Sequence, residues 1–512
     1  MAMDDARDGR PGNVPGSGAA AGTGSIEAGR IPADVYEICA RLRAAGRQAH
    51  LVGGGIRDLL LGREPADFDV ATDAHPQEVM ALFGSRFAIP TGLQHGTVTV
   101  VTRGDERPPG DGGEGALAGE GGGTAQGEGG AGAIRRRHVE VTTFRGEGAY
   151  LDGRRPSSVS YVSSLEEDLS RRDFTMNAIG YDPVSGVLTD PFDGRRDLAL
   201  RRIRAVGDPE QRFREDGLRP MRAVRQAAQL EFDIDPPTLG AIPRVIDVFR
   251  RVSAERIRDE MLKLLAAPRP SAAIEIMRTT GLLAEVLPEL LESVGLTQNR
   301  FHKHDVYGHT LAVVDATRGD ALTRLGALLH DIGKPRARQP REGAPGEYSF
   351  FKHEYVGAEM ADAVCRRWKL PNADRERVVA MVVHHMFFYS PDWTDGTVRR
   401  FVRRVGPELV PALFALREGD VAGRGFGEDP EGELAELRRR IGEVSAADAA
   451  LRVSDLALDG RDVMRILAIR PGRSVGVILE RLLDAVLDDP ALNTPEGLEA
   501  LVRELAARGE IP

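Results

Sequence analysis

Cysteine is scarce: the 512-residue chain has two, Cys39 and Cys365. They lie far apart, so neither a disulfide framework nor a cysteine-rich zinc site has support, and a reducing cytoplasm is the expected compartment. Also missing is any apolar run approaching the roughly 18 to 20 residues of a membrane span. No membrane partner is expected. The first thirty residues, through Arg30, have neither a basic start nor an apolar stretch, which speaks against a secretory signal. Rich in Gly, Ala, Pro and Asp, they read as a disordered tail, 1–30. Basic residues are not in excess either: 68 Lys and Arg against 78 Asp and Glu leave a net charge of -10. That argues against wholesale coating of nucleic acid, while a local basic surface can still bind RNA. No internal repeat is evident.

What is present is a globular composition, 41% hydrophobic and 29% charged, on a chain too long for one ordinary core. Helical spacing of Val35, Ile38 and Leu42 leads to a short strand, His50 to Val52, then Gly53-Gly54-Gly55 and a helix starting near Ile56. A strand at Phe68 to Ala71, a helix around Gln77 to Phe83, and strands at Thr97 to Thr102 and His138 to Thr143 complete a mixed α/β unit. Between the last two strands, 103–133 is almost all Gly, Glu, Asp and Ala, and reads as a disordered loop. After Arg204 strand signals stop, and helical periodicities such as Leu218 to Leu230 and Ala254 to Leu265 run to the end, predicting an all-helical back half. A Gly- and charge-rich break, Arg424 to Gly432, precedes the last helical region.

Chemistry concentrates in three places. In LVGGGIRDLLLGREPADFDVAT a strand delivers a glycine turn onto a helix start, where free N–H groups favour a phosphate and Arg57 adds a cation. Asp67 and Asp69, two apart around Phe68, point to one face if both lie on a strand. Such a pair suits magnesium, which takes carboxylate and phosphate oxygens; the bland alternative is a solvated turn. Glu140, on the strand HVEVTTF, is a candidate third acid or an ordinary outward-facing residue. In RRDFTMNA, Arg172 is placed to contact a triphosphate, and Arg171 with Asp173 can be a surface ion pair.

In REDGLRPMRAVRQ, Asp216 and Arg219 are one helical turn apart and present an acceptor beside a donor. Cytosine and adenine show the complementary edge, an exocyclic amine next to a ring nitrogen; uracil and guanine show the reverse. The pair therefore serves as an amino-acid template for CTP and ATP, or else is a plain i, i+3 salt bridge. Arg222 and Arg225 continue the stripe and favour a phosphate-facing surface.

The third place holds seven of the eleven histidines, between His302 and His385. His330 and Asp331 sit side by side in an apolar helical stretch, which is costly unless they bind something. Imidazole-rich sites suit transition metals such as nickel, manganese or iron; the alternative is a helical body with histidines satisfied in its core.

Together GGGIRDLLLGREPADFD, RRDFTMNAIGYD and RFREDGLRPMRAVRQAAQL resemble the motifs of the class II CCA-adding enzyme and bacterial poly(A) polymerase family. The resemblance is close over Ile31 to Leu265 and looser beyond. It implies an α+β fold: a polymerase-β-like nucleotidyltransferase head, then an all-helical neck, body and tail. Magnesium at Asp67 and Asp69 is implied, with nucleotide contacts at Gly54, Arg57, Arg172, Asp216, Arg219, Arg222 and Arg225. Gln226 departs from the family, where an aromatic is usual. HDVYGHTLAVVD, LGALLHDIGKP, FKHEYVGAEMA, VVHHMFF and LREGDVAGRG resemble an HD-type metal phosphohydrolase. By that match His309, His330, Asp331 and Asp420 hold one metal, while His353, His384 and His385 hold a second or bind phosphate. SDLALDGRDVMRILAIRPG is similar to the tRNA-binding tail of longer members, with Gly460, Gly472 and Gly476 shaping turns.

The expected domains are a head over 31–204, neck over 205–270, HD body over 271–425 and tail over 426–512. The expected function is addition of CCA from CTP and ATP to the tRNA 3′ end. Alternatives are a poly(A) polymerase, a partial CC- or A-adding enzyme, or an RNA-binding HD hydrolase with an inactive head. Intact Asp67, Asp69, Asp216 and Arg219 count against the last. Oligomeric state is not legible.

Overall fold

The computed structural model describes residues 26–103, 136–146, 161–298, 303–341, 348–425, 431–446 and 452–510. The Gly-rich insertion over 104–133, His302 and most of the expected tail lie outside them. The tail's last residues do not behave as a tail. Ile26 is buried, and Arg30 donates to the carbonyls of Leu59 (3.2 Å) and Arg63 (2.7 Å). Two compact units emerge: one runs to Asp216 and includes Asp233–Ala241, the other comprises Gly217–Phe232 and Ile242–Pro512.

The first unit is built on a seven-stranded sheet. Its strands are β1 (Ala49–Val52), β2 (Asp69–Thr72), β3 (Ala88–Gly92), β4 (Thr97–Arg103), β5 (Arg136–Thr143), β6 (Gly180–Asp182) and β7 (Val187–Thr189). The spatial order is β3-β4-β5-β2-β1-β6-β7, with β2 parallel to β5 and the other neighbours antiparallel. Alternation drives it: on β5 Val139, Val141 and Thr143 are buried, while His138 and Glu140 are exposed. Val52, Ala71, Phe144, Leu165, Leu169, Ala178 and Val206 form one core cluster. By the area rule, each fully buried Leu or Phe there contributes about 1.5–3 kcal/mol. That fixes the central strands and the register at their ends.

The second unit is helical. Helices Val306–Ala316, Ala321–Leu329, His353–Arg367, Asn372–His384 and Val410–Gly423 make up its histidine-bearing part. Two of them start on aspartate caps: Asp305 accepts from Gly308 N at 2.7 Å and Asp320 from Thr323 N at 2.8 Å. The helix expected at Ala254–Leu265 has those bounds. An entirely helical back half is not found. Asp233–Ile234 pairs with Arg202–Ile203 in the first unit, and Gln339–Pro340 pairs with Tyr348–Ser349 in the second.

Near the C-terminus, helices Gly460–Leu467, Arg473–Asp488 and Pro495–Ala507 share a separate core that includes Val463, Ile478, Leu482 and Val502. Of the glycines expected in turns there, Gly460 begins a helix and Gly472 caps one. Gly476 lies inside Arg473–Asp488 instead, because Val475, Ile478 and Leu482 keep helical spacing through it. No helix among the described residues is long and apolar enough to cross a membrane.

Candidate active site and metal centre

In the sheet, Val52, Asp69 and Glu140 occupy one register across β1, β2 and β5. Asp69 is thus held centrally, one strand from Glu140. Asp67 is not on the strand: β2 begins at Asp69, where β1 ends opposite it at Val52. The expected alternation survives without strand pairing, since Asp67 is exposed, Phe68 buried and Asp69 half-buried. Burial first, then the charge of Asp67, with Glu140 adding, pushes the Asp69 carboxyl up to about 6 against the lowering by Arg172. A cation beside the acids would relieve that cost. The three acids do not converge tightly. Among the described residues, only histidine-containing groups bring three ligand atoms within 4.8 Å of one another.

The glycine turn stands over this acid edge. Gly53 has φ +76° and ψ -142°, a conformation left to glycine, and a Cβ there would stand 3.2 Å from Arg172 Nη1 and 3.4 Å from Asp69 Oδ2. At Gly55 a Cβ would meet the Asp67 carbonyl at 2.8 Å. The Gly54–Leu60 helix has only seven residues, so the cations beside it, rather than its dipole, are the stronger attraction for an anion. Arg57 donates to Asn177 Oδ1 at 3.1 Å and pairs with Asp58, whereas a Cβ on Gly54 would lie 3.5 Å from its guanidinium.

Arg172 is oriented by a residue that the sequence reading missed. Buried Asp168 pairs with Arg171 at 2.9 Å and Arg172 at 3.3 Å, and despite burial these guanidiniums hold its carboxyl below the usual range. The signal was the i, i+3 and i, i+4 spacing in DLSRR. Arg171 therefore has Asp168 as an ion-pair partner.

The expected shared helical face of Asp216 and Arg219 is not observed. Asp216 ends helix Pro209–Glu215 in an extended conformation (φ -143°, ψ 108°), and Arg219 begins helix Arg219–Leu230 in the other unit. Gly217 and Pro220 explain the break: glycine disfavours helix interiors and proline favours a first turn. Arg222 and Arg225 do share a face. Both turn to buried Glu260, at 3.8 Å and 2.6 Å, so much of their charge is met inside the protein. Gln226, at the position of the family's aromatic, is buried.

In the second unit five helices bring histidines together. His309 lies within Val306–Ala316, His353 begins His353–Arg367, His385 caps Asn372–His384 and Asp420 lies within Val410–Gly423. His330 and Asp331 are not inside a helix but just past Ala321–Leu329. The chain must turn there. Gly333 packs on the next helix so closely that a Cβ would stand 2.3 Å from the His353 carbonyl and 2.4 Å from Gly357 N, and Pro335 follows.

Asp331 is the hub. Its Oδ2 faces His330 Nε2 (3.2 Å) and His309 Nε2 (3.7 Å), and its Oδ1 faces His353 Nε2 (3.3 Å) and His385 Nε2 (3.8 Å). Asp420 Oδ1 closes the first side, 3.1 Å from His309 Nε2 and 4.0 Å from His330 Nε2. His309, His330 and Asp331 form one potential ligand group, and Asp331, His353 and His385 another. His384 belongs to neither; it is half-buried, and burial with Arg404 lowers its pKa. Lys334, missed in the sequence, places Nζ 2.6 Å from Asp331 Oδ2, one turn after it in HDIGK. Arg417 and Arg424 each stand 3.4 Å from Asp420 Oδ2.

The ring tautomers test whether metal fits. His330, His353 and His385 each place Nδ1 2.7–2.8 Å from a main-chain carbonyl, which makes Nδ1 the protonated nitrogen and leaves Nε2 as a lone pair. His353 Nε2 and His385 Nε2 then face each other at 3.2 Å, acceptor against acceptor. His330 Nε2 and Asp331 Oδ2 are buried without a hydrogen bond. A cation resolves all of these at once. Burial, then the neighbouring His330, also pushes His385 down to about 3, keeping it a neutral ligand.

With this geometry in hand, comparison with known proteins is specific. Residues 49–107 and 125–204 match the poly A polymerase head domain, 231–293 the "probable RNA and SrmB-binding site of polymerase A", and 295–420 the HD domain. The chain is 33% identical to a CCA-adding enzyme of Geobacillus stearothermophilus over 470 residues, covering 91% of this chain and 95% of that one. It is 42% identical to one from Lactobacillus helveticus over 464 residues, with the same coverage. A crystal structure of the Bacillus stearothermophilus CCA-adding enzyme in complex with CTP superposes with a TM-score of 0.68 at 31% identity, covering 93% of this chain and 98% of that one. Carboxylates and arginines around a glycine turn, on a chain aligned nearly end to end with these nucleotidyltransferases, place it in their family: the chain belongs to the CCA-adding enzymes, in a form that carries an HD domain.

Proposed function

We propose that this chain adds CCA, from CTP and ATP, to the 3′ end of tRNA, and that the Val52–Asp69–Glu140 register beneath Gly53 and Arg172 is the catalytic edge. That register is the observation that carries the reading, because it sets carboxylates beside an arginine at a turn only glycine can make. Asp67 and Asp69 would hold magnesium, with Glu140 as the third acid; bound there, magnesium supplies charge stabilisation for phosphoryl transfer. Arg57 and Arg172 bind the triphosphate, the latter steered by Asp168. Attack of the RNA 3′-hydroxyl on the α-phosphate then forms the new phosphodiester and releases pyrophosphate. Asp216 and Arg219 select the base, with Arg222 and Arg225 supporting them from one helical face. Residues 31–204 serve as head, 205–270 as neck, 271–425 as HD body and 426–512 as tail on tRNA.

The decisive assay sizes the products from tRNAs ending before CCA, after C and after CC. Full CCA on the first and completion on the other two are expected. A run of A, or arrest after CC, would assign poly(A) or partial addition instead.

The opposed Nε2 atoms of His353 and His385 favour a second reading for the body: a two-metal phosphohydrolase centre. His309, His330, Asp331 and Asp420 would hold one ion and Asp331, His353 and His385 the other, with Asp331 bridging. Nickel, manganese or iron suits these ligands, and Lys334 stands ready for a phosphate oxygen. Metal analysis of the purified protein tests it: less than one transition metal per chain would leave the domain a helical body only.

A further inference from the structure

The HD centre is rimmed by apolar side chains that folding does not explain. Among the exposed large hydrophobic residues described, Phe351 (78% exposed) and Phe388 (72%) stand well above the rest. Each is within three residues of a centre histidine: Phe351 precedes His353 by two and Phe388 follows His385 by three, and those two rings lie 5.2 Å apart. Tyr355 and Met386, both more than half exposed, flank the same histidines. After His385 burial alternates, so that Phe387 and Tyr389 pack inward while Met386 and Phe388 face water. The exposure is patterned, not a frayed end. Below this rim the chemistry changes: Lys334 stands 2.6 Å from one centre carboxylate and Arg417 3.4 Å from the other, alongside the histidines.

An anion-binding floor under an aromatic rim matches a ligand with a phosphate at one end and a flat, unstacked ring at the other. We propose that Phe351 and Phe388 form a base-stacking platform, so that the HD centre takes nucleoside phosphates rather than phosphate esters in general. This rests on the HD centre being a metal phosphate site. An inorganic phosphate or a sugar phosphate would gain nothing from the rim, whereas a base stacked on it would gain about tenfold or more in affinity. Charge complementarity decides against a purely apolar occupant, which would leave the cationic floor unused.

The test is calorimetric binding of AMP, ribose 5-phosphate and inorganic phosphate to the full chain loaded with manganese, in wild type and Phe351→Ala/Phe388→Ala. Both substitutions are at exposed positions. Any AMP bound by the nucleotidyltransferase head is common to both proteins and cancels in the difference. AMP should bind wild type about tenfold tighter than ribose 5-phosphate, and the double variant should lose that margin while keeping its affinity for inorganic phosphate. Phe388→Tyr should restore most of it. Equal AMP affinity in the two proteins overturns the platform. So does a wild-type dimer that the double variant dissolves, because the rim would then be an interface between copies. A His330→Ala control separates the two levels: if it changes neither manganese content nor phosphate binding, the HD reading itself falls.

Discussion

At the scale of single residues, the head's chemistry depends on atoms that the sequence identifies unevenly. Asp67 and Asp69 were legible from their spacing, because few patterns place two carboxylates around one buried aromatic. Gly53 was visible only as part of a glycine run; its positive φ and its fit between Arg172 and Asp69 are facts of the fold. Gly53→Ala should cost about 1–3 kcal/mol in backbone strain, and a Cβ at 3.2 Å should displace Arg172. The expected outcome is a modest fall in thermal midpoint with a much larger fall in nucleotide addition. Near-normal addition would mean that the turn does not hold the arginine in place. Asp67→Ala and Asp69→Ala should each abolish addition while retaining tRNA binding by gel shift; substantial incorporation with magnesium as the only divalent ion would remove the metal-holding role. Arg219→Ala should relax base choice by on the order of 1–3 kcal/mol. A competition assay among the four nucleotides checks it, and an unchanged preference at a uniformly lower rate would contradict base selection. Asp168 and Lys334 escaped the sequence reading for one reason: a charged residue near others on a helix looks like an exposed ion pair until its burial is known.

At the scale of elements, periodicity located most strands and helices, since alternation and 3.6-residue spacing follow from which face is buried. It failed where two short pieces meet. Asp216 and Arg219 have the spacing of one helical turn, yet Gly217 and Pro220 split them between two helices. His330 and Asp331 follow nine residues of apolar helix, yet the chain leaves the helix at that point. Both breaks come from tertiary contacts, the second from Gly333 lying against Gly357 and the His353 carbonyl. Local patterns hold no information about such an approach. Gly333→Ala follows as an element-level test: a methyl 2.3 Å from a main-chain oxygen cannot be accommodated without parting the His330–Asp331 turn from the His353 helix. Transition-metal content should fall in this variant while nucleotide addition persists. Full metal occupancy would show that the two elements can separate without opening the site.

At the scale of the whole molecule, the two centres differ in ligand type and in the unit that carries them. The acid edge belongs to the sheet unit; the histidine cluster belongs to the helical unit, together with Arg219, Arg222 and Arg225. Oxygen ligands that suit magnesium and imidazoles that suit transition metals need not compete for the same ion. Two chemistries in one chain should therefore be separable by mutation. His330→Ala removes one ligand from a buried group in which Asp331 is held well below the usual carboxylate range, against the cost of burial, first by His330 and then by Lys334. The loss leaves Asp331 less compensated, so some local destabilisation is expected along with loss of metal. Nucleotide addition depends on Asp67, Asp69, Arg57 and Arg172, none of which is in that unit, and should retain most of its rate. Phosphomonoester or cyclic-phosphate hydrolysis should disappear. Measuring metal content, hydrolysis and CCA addition on the same preparation decides the point: if addition falls in step with hydrolysis while circular dichroism shows an intact fold, the centres are coupled and their independence is refuted.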